Sequence, residues 1–275
     1  MAGERWDEFP RSSPGARDRW APVAGLPDDA PGVRRAGAGG WTDAYLRVRG
    51  HERRLYPDSI VIGLPTVPAG DPLRGEWRCR ADSSARLVGY LHGRRSPVVL
   101  EVGCGNGWLA NLLAGIRGSR VVGLDVNDVE LAQAARVFHA PNLRFVRGDV
   151  LDMPPPPDRP DIIVLASVIQ YLPDLASLVA GLRPWLAPGG EIHLLDSPLY
   201  RPDQLDAARD RTRRHYRSVG VPEMADAYHH HSWRALDDSG FDILYRPDGL
   251  RTRVERRLLR RPRSPFPWVR IRAAR

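Results

Sequence analysis

The sequence predicts an α/β fold, a doubly wound and mainly parallel sheet, and three observations predict it. Short apolar runs rich in Val, Ile and Leu recur from position 97 onward. Most are followed by a stretch with helical apolar spacing, and the connections between them are short. With 275 residues, 42 % of them hydrophobic, the chain can bury the core that such a sheet needs.

V-V-L-E-V, from Val98 to Val102, is the first buried strand, followed by a glycine-rich turn and a helix marked by Trp108, Leu109, Leu112 and Leu113. R-V-V-G-L-D (Arg120 to Asp125) is the second strand, and E-L-A-Q-A-A-R-V-F is the next helix. L-R-F-V-R-G-D (Leu143 to Asp149) is the third strand, and the prolines at 154–157 allow only a loop after it. D-I-I-V-L-A (Asp161 to Ala166) is the fourth. A helix from about Asp174 to Trp185 is stopped by A-P-G-G, and E-I-H-L-L-D (Glu191 to Asp196) is the fifth strand.

Residues 1–40 are rich in Pro, Gly, Asp and Arg and show no period, which predicts a poorly ordered segment or one laid over the surface without its own core. Residues 41–95 read as a helical cap. Its first helix carries Trp41, Tyr45, Leu46 and Val48 on one face with Thr42 as N-cap, and a second helix, R-A-D-S-S-A-R-L-V-G-Y-L, ends at Gly93. The main domain is 96–275. Within it, 201–235 is a helical insertion before the sixth strand, with Pro202 at a first helical position and Gly220 at the end, expected to form a lid over substrate. A helix is then expected ahead of the sixth strand.

The net charge of +8 is concentrated at one end. All 41 basic residues are Arg. Residues 251–275 hold ten of them and one Glu, a local charge of +9 that leaves −1 on the other 250 residues. A solvated basic face is the plainer reading of that stretch, and a phosphate-binding edge the other. Two cysteines, Cys79 and Cys104, make no disulfide framework and suit a reduced compartment. The charged N-terminus lacks the apolar stretch of a signal peptide, and no apolar run is long enough to span a bilayer. A cytoplasmic protein with no membrane partner is expected.

E-V-G-C-G-N-G-W, Glu101 to Trp108, follows a strand and opens a helix. Its glycines permit backbone angles barred to other residues and clear space for a nucleotide-like ligand. Trp108 stands where a dinucleotide loop has its third glycine, and Gly107 closes a tighter G-x-G-x-G. Together with Asp125 ending the second strand, R-G-D-V around Asp149, A-S-V-I-Q-Y-L-P-D after the fourth strand and L-R-P-W-L-A-P-G-G-E-I-H-L-L, this loop resembles the class I S-adenosylmethionine-dependent methyltransferases. The motifs cover about 95–200, and the last 40 residues match by pattern only.

The resemblance implies a Rossmann-like seven-stranded sheet with its last strand antiparallel, and F-D-I-L-Y (241–245) and W-V-R-I-R (268–272) are the candidates for the final two strands. It implies S-adenosyl-L-methionine as cofactor, held by Glu101, Gly103, Cys104, Gly105, Gly107 and Trp108. Asp125 and Val126 would take the ribose, Gly148, Asp149 and Val150 the adenine, and Ala166 and Ser167 complete the site. A carboxylate at Asp125 accepts two hydroxyl hydrogen bonds and repels phosphate.

Ligands in open α/β sheets sit beyond the carboxyl ends of the strands. The expected substrate contacts are therefore Gln170, Tyr171 and Tyr200, together with Tyr45 from the cap and Tyr228, His229 and Trp233 from the lid. Catalysis is expected from His229 or His230, with Tyr171. The run Y-H-H-H-S-W (228–233) cannot converge on one ion in a helix, because successive side chains diverge by about 100°, and in a strand the middle ring opposes the outer two. No metal site is expected. Partly buried imidazoles beside Trp233, or one acting as base near the methyl donor, are the two readings left.

The expected activity is methylation of oxygen, nitrogen or carbon in a small metabolite, in the manner of secondary metabolism, by a monomer or homodimer. Two alternatives stand. The same cofactor can serve aminocarboxypropyl transfer, its own cyclisation or a cyclase reaction, and the Arg-rich end can serve an RNA methyltransferase, although the charge distribution argues against nucleic acid.

Overall fold

A computed structural model describes residues 19–23, 40–258 and 263–273. The cap contains α1 (Trp41–His51), a short α2 (Asp58–Val61) and α3 (Arg74–Leu91). The α/β unit comes next as β1 (Val98–Val102), α4 (Trp108–Ala114), β2 (Arg120–Asp125), α5 (Asp128–Val137), β3 (Leu143–Arg147), β4 (Ile162–Ala166), α6 (Leu175–Leu182) and β5 (Glu191–Leu195). After it come α7 (Leu205–Ser218), β6 (Phe241–Tyr245), α8 (Leu250–Leu258) and β7 (Trp268–Arg272).

All seven strands join one sheet in the order β3-β2-β1-β4-β5-β7-β6, with β7 alone antiparallel to its neighbours. The doubly wound sheet and both final strands are as the sequence implied. Strand alternation divides the core. Val99, Val121, Ile162 and Val164 pack with α3, α4 and α5 on one face, and Leu100, Leu124, Ile163 and Leu165 pack with α6 on the other. Asn127 and Asp174 cap α5 and α6, each side chain accepting two backbone N–H groups.

Two expectations need correction, and a third is met in part. Thr42 is inside α1, whose N-cap is Gly40 with no side-chain cap, because the extended backbone at Gly40 already starts the helix two residues earlier. The helix expected before β6 is instead a 3₁₀ turn at Trp233–Ser239. Part of the segment 1–40 is laid on the sheet: Pro22 bridges to Val146 on the edge strand β3, and the Val23 N–H donates to Phe145 O at 2.8 Å. Trp20 is buried against Trp185, and its indole N–H donates to Pro154 O at 3.2 Å, so it packs on the sheet face beside the proline loop. Residues 1–18 and 24–39 lie outside the described residues.

The insertion at 201–235 opens with a 3₁₀ turn, Pro202–Gln204, that continues into α7, and its helical part ends at Gly220 with φ of 74°. α1 and this insertion have a small core of their own, in which Ala44 and Val48 of α1 pack with Tyr216, Val221 and Met224. Arg47 pairs with Glu223, and Glu52 with His215, across the same junction. No helix among the described residues is long and apolar enough to cross a membrane.

Candidate active site

The glycine loop leaves β1 at the carboxyl end of the sheet, where α1 and the insertion 201–235 meet. A cavity of about 650 Å³ lies there, within the range of small-molecule sites. Its floor is Glu101, Gly103, Cys104, Gly105 and Trp108, its far wall Ala166, Ser167, Gln170 and Tyr171, and its roof Tyr45, Arg49, Tyr216 and Tyr228.

Three carboxylates gather around the loop. Asp125 accepts the Gly105 N–H at 2.7 Å on one oxygen and the Asn127 N–H at 2.8 Å on the other, so each oxygen keeps a further lone pair. Burial, and next the charge of Glu130, push its pKa up to about 6. Glu101 is buried and its Oε2 has no hydrogen-bond partner among the described residues; burial, then Asp125, pushes its carboxyl well up. Glu130, also buried, accepts from Tyr45 Oη at 3.3 Å and lies 3.5 Å from the Arg49 guanidinium. A Cβ at Gly105 would meet Glu130 Oε2 at 3.4 Å, so a side chain there would fill the space the carboxylates face.

Buried carboxylates in excess of buried cations favour a cationic ligand. S-adenosylmethionine carries an ammonium and a sulfonium beside two ribose hydroxyls. The residues present fit it: Asp125 for the hydroxyls, the unpartnered Glu101 oxygen for the ammonium, and Arg49, whose buried Nε has no partner among the described residues, for the carboxylate. A pH dependence is expected. Asp125 has a raised folded-state pKa, so the folded protein keeps a proton that the unfolded chain releases, and stability falls as pH rises toward 6. A cation favours the ionised form, so the rise in melting temperature caused by S-adenosylmethionine should grow between pH 5 and 7.5. A shift constant across that range would contradict the assignment.

The second wall of the site is strained. Ser167 and Asp196, ending the neighbouring strands β4 and β5, have φ of 57° and 50°, rare for residues with a Cβ and found most often at functional sites. Ser167 Oγ donates to Asp196 O at 3.0 Å, and Arg80 Nη1 of the cap donates to Ser167 Oγ at 3.2 Å.

An adjoining open cleft of about 1140 Å³ shares Tyr171 and Met224 with the cavity and is lined also by Trp41, Val126, Asn127 and His229. The histidine run has no regular secondary structure, and its rings part. The His229 N–H donates to Gln170 O at 2.7 Å and its ring borders this cleft, on the β2 side. His231 is buried with Nε2 at 2.8 Å from Ile169 O. His230 turns the other way, to Thr212 Oγ1 at 2.9 Å, with its ring between Tyr200 and Tyr228. Burial first, then neighbouring charge, lowers the pKa of His229 and of His230, which keeps both rings neutral at neutral pH. No cluster of potential metal ligands occurs among the described residues.

Several expected site residues lie elsewhere. Trp233 stacks on Phe241 at 5.8 Å and packs on the sheet core, and neither Tyr200 nor His230 lines the cavity or the cleft. Val150 is core, and Gly148 packs on Met153. Asp149 accepts the Leu151 N–H at 2.9 Å in the turn after β3. Arg49, Arg80, Glu130 and the His215–Glu52 pair, at 2.9 Å, border the cavity without having been marked by any motif.

Comparison with known proteins agrees with this geometry. Residues 99–190 match the family described as methyltransferase domain. The chain is 28 % identical over 171 residues to a sterol 24-C-methyltransferase of Gibberella zeae, covering 60 % of this chain and 43 % of that one. It is 35 % identical over 128 residues to a trans-aconitate 2-methyltransferase of Methylobacterium nodulans, covering 46 % of each. The chain thus spans about half the length of the curated relatives it matches. The solved plantazolicin methyltransferase shares the fold, with a TM-score of 0.51 at 12 % identity over 86 % of this chain and 97 % of that one. With its loop, sheet order and family match, the segment 99–190 is a methyltransferase domain of the class I S-adenosylmethionine-dependent type.

Proposed function

We propose that the protein transfers a methyl group from S-adenosylmethionine to a small-molecule acceptor bound in the 650 Å³ cavity. The observation that carries this reading is the pair of buried carboxylates, Glu101 and Glu130, lining a tyrosine-walled cavity, with Asp125 behind its glycine loop, bonded to the Gly105 N–H. When bound, the cofactor supplies a methyl group already activated by a sulfonium leaving group. The protein then has to hold the acceptor in line and exclude water. Tyr45, Tyr171, Tyr216 and Tyr228 offer ring faces and hydroxyls for an acceptor, and burial raises the pKa of each, keeping them as neutral donors. The trans-aconitate enzyme and the naphthoquinone methyltransferase of Synechococcus elongatus act on small molecules, which supports the same class of acceptor here.

A hydroxyl or carbon acceptor needs a base. His215 borders the cavity and is oriented by Glu52, whereas His229 faces Val126 and Asn127 across Tyr171. We expect His215→Ala to lower kcat by about 100-fold with the cofactor KM unchanged. His229→Ala should instead raise the cofactor KM, and His230→Ala should change neither. Loss of turnover in His229→Ala alone would move the base to the cleft.

The Arg-rich end supports an RNA acceptor less well. Arg263 pairs with Asp82 at 2.5 Å, Arg270 with Asp242 at 2.6 Å and Arg272 with Asp242 at 3.3 Å, so these charges are already met within the chain. The reading is tested by incubating the protein with methyl-labelled cofactor and a metabolite extract. Label in a small molecule with release of S-adenosylhomocysteine is expected; methylthioadenosine or labelled RNA would overturn it.

A further inference from the structure

Helix α8, between β6 and β7, is amphipathic with its apolar side turned outward. Leu250, Val254 and Leu258 recur every fourth residue and therefore share one face. They are 79, 45 and 73 % exposed. Thr252, nearly opposite at about 100° per residue, is the buried one, and its hydroxyl donates to Arg246 O at 2.9 Å. A surface helix of a water-soluble body ordinarily turns the other way. Arg253 and Arg257, both exposed, flank the apolar row. The stretch L-R-T-R-V-E-R-R-L-L-R-R-P-R, 250–263, holds seven Arg and one Glu.

The location adds to this. Leu194 of β5 pairs with Val269 and Tyr245 of β6 with Trp268, so β6 ends and β7 begins at the carboxyl end of β5, where the cavity opens. Past α8 the chain returns through Ser264, Pro265 and Phe266, which line that cavity. We propose that the outward face of α8 docks the protein onto an anionic lipid surface, with the apolar row in the headgroup boundary and the arginines on lipid phosphates. An apolar row beside exposed arginines is the pattern of a helix lying in a bilayer interface, and it requires no spanning segment. Charge selects this occupant. A second copy would set arginine rows against each other, and nucleic acid would leave three large apolar side chains without use.

The test uses the full chain with vesicles of phosphatidylcholine alone and of phosphatidylcholine mixed with phosphatidylglycerol, read by co-sedimentation at low salt. Binding to the mixed vesicles only is expected. The triple variant Leu250→Ser, Val254→Ser, Leu258→Ser should lose about tenfold or more in that binding, with its melting temperature and its S-adenosylmethionine affinity unchanged. The paired variant Arg253→Gln, Arg257→Gln should lose the preference for the anionic lipid. Failure of the wild type to sediment, or undiminished sedimentation of the triple variant, overturns the proposal. So does a dimer that the triple variant abolishes without any vesicle binding, which assigns the face to a second copy. The cofactor titration separates failure here from failure of the methyltransferase reading.

Discussion

Asp125→Ala is expected to weaken S-adenosylmethionine binding by about 100-fold or more, measured by titration calorimetry. Two hydroxyl hydrogen bonds to a charged acceptor carry most of that loss. The remainder comes from the loop, because the Gly105 and Asn127 N–H groups lose the carboxylate that now fixes them at 2.7 and 2.8 Å. Asp125→Asn separates the two contributions. It keeps one acceptor oxygen but replaces the other with a donor, and it should fall between wild type and Ala. Glu101→Gln behaves differently. Its side chain is buried and already pushed toward the neutral form, so the apo protein should melt no lower than wild type while its affinity for the cationic cofactor falls. Unchanged affinity in both Asp125→Ala and Glu101→Gln would mean that the carboxylates do not face the cofactor.

Gly107→Ala should have a large effect on stability. Gly107 caps α4 with φ of 77°, and a Cβ there would stand 2.6 Å from the Phe145 ring and 2.8 Å from Ala134 Cβ. Both neighbours belong to the sheet-facing core and have no room to withdraw. Left-handed strain and overpacking together cost about 3 kcal/mol, which lowers the melting temperature by roughly 5 °C in a chain of this size. Gly189 provides the control. It has nearly the same φ, 76°, but nothing among the described residues lies within 4 Å of the added Cβ. Gly189→Ala should cost only the backbone strain, about 1 kcal/mol. Equal losses at the two positions would refute the packing account of Gly107.

The strands were legible because each is a local pattern. V-V-L-E-V and D-I-I-V-L-A need only their own residues to be recognised as buried strands between turns, and the glycine loop lies where one of them must end. The same holds for Pro202 and Gly220 at the two ends of the lid helix. The contacts that join distant segments were not legible. Arg49 and Glu130 are 81 positions apart, and His215 meets Glu52 across the cap–lid junction, so neither pair leaves a spacing to read. The histidine run shows the boundary between the two cases. Alternation predicts that His230 opposes its neighbours, but only the path of the lid decides that His229 borders the cleft while His231 bonds the turn at Ile169. Trp233 misled for a related reason: a large aromatic beside the histidines suggests a binding wall, yet its ring is taken by Phe241 and the sheet. At α8 the four-residue spacing of Leu250, Val254 and Leu258 was present but lay within an arginine-rich stretch that reads first as charge.

The most direct measurement is a crystal structure of the protein with S-adenosylhomocysteine. The account predicts the ribose hydroxyls on Asp125, the amino group at Glu101 and the carboxylate near Arg49, with the thioether sulfur facing the tyrosine-walled cavity. A nucleoside bound away from Asp125, or a sulfur turned from that cavity, would contradict it.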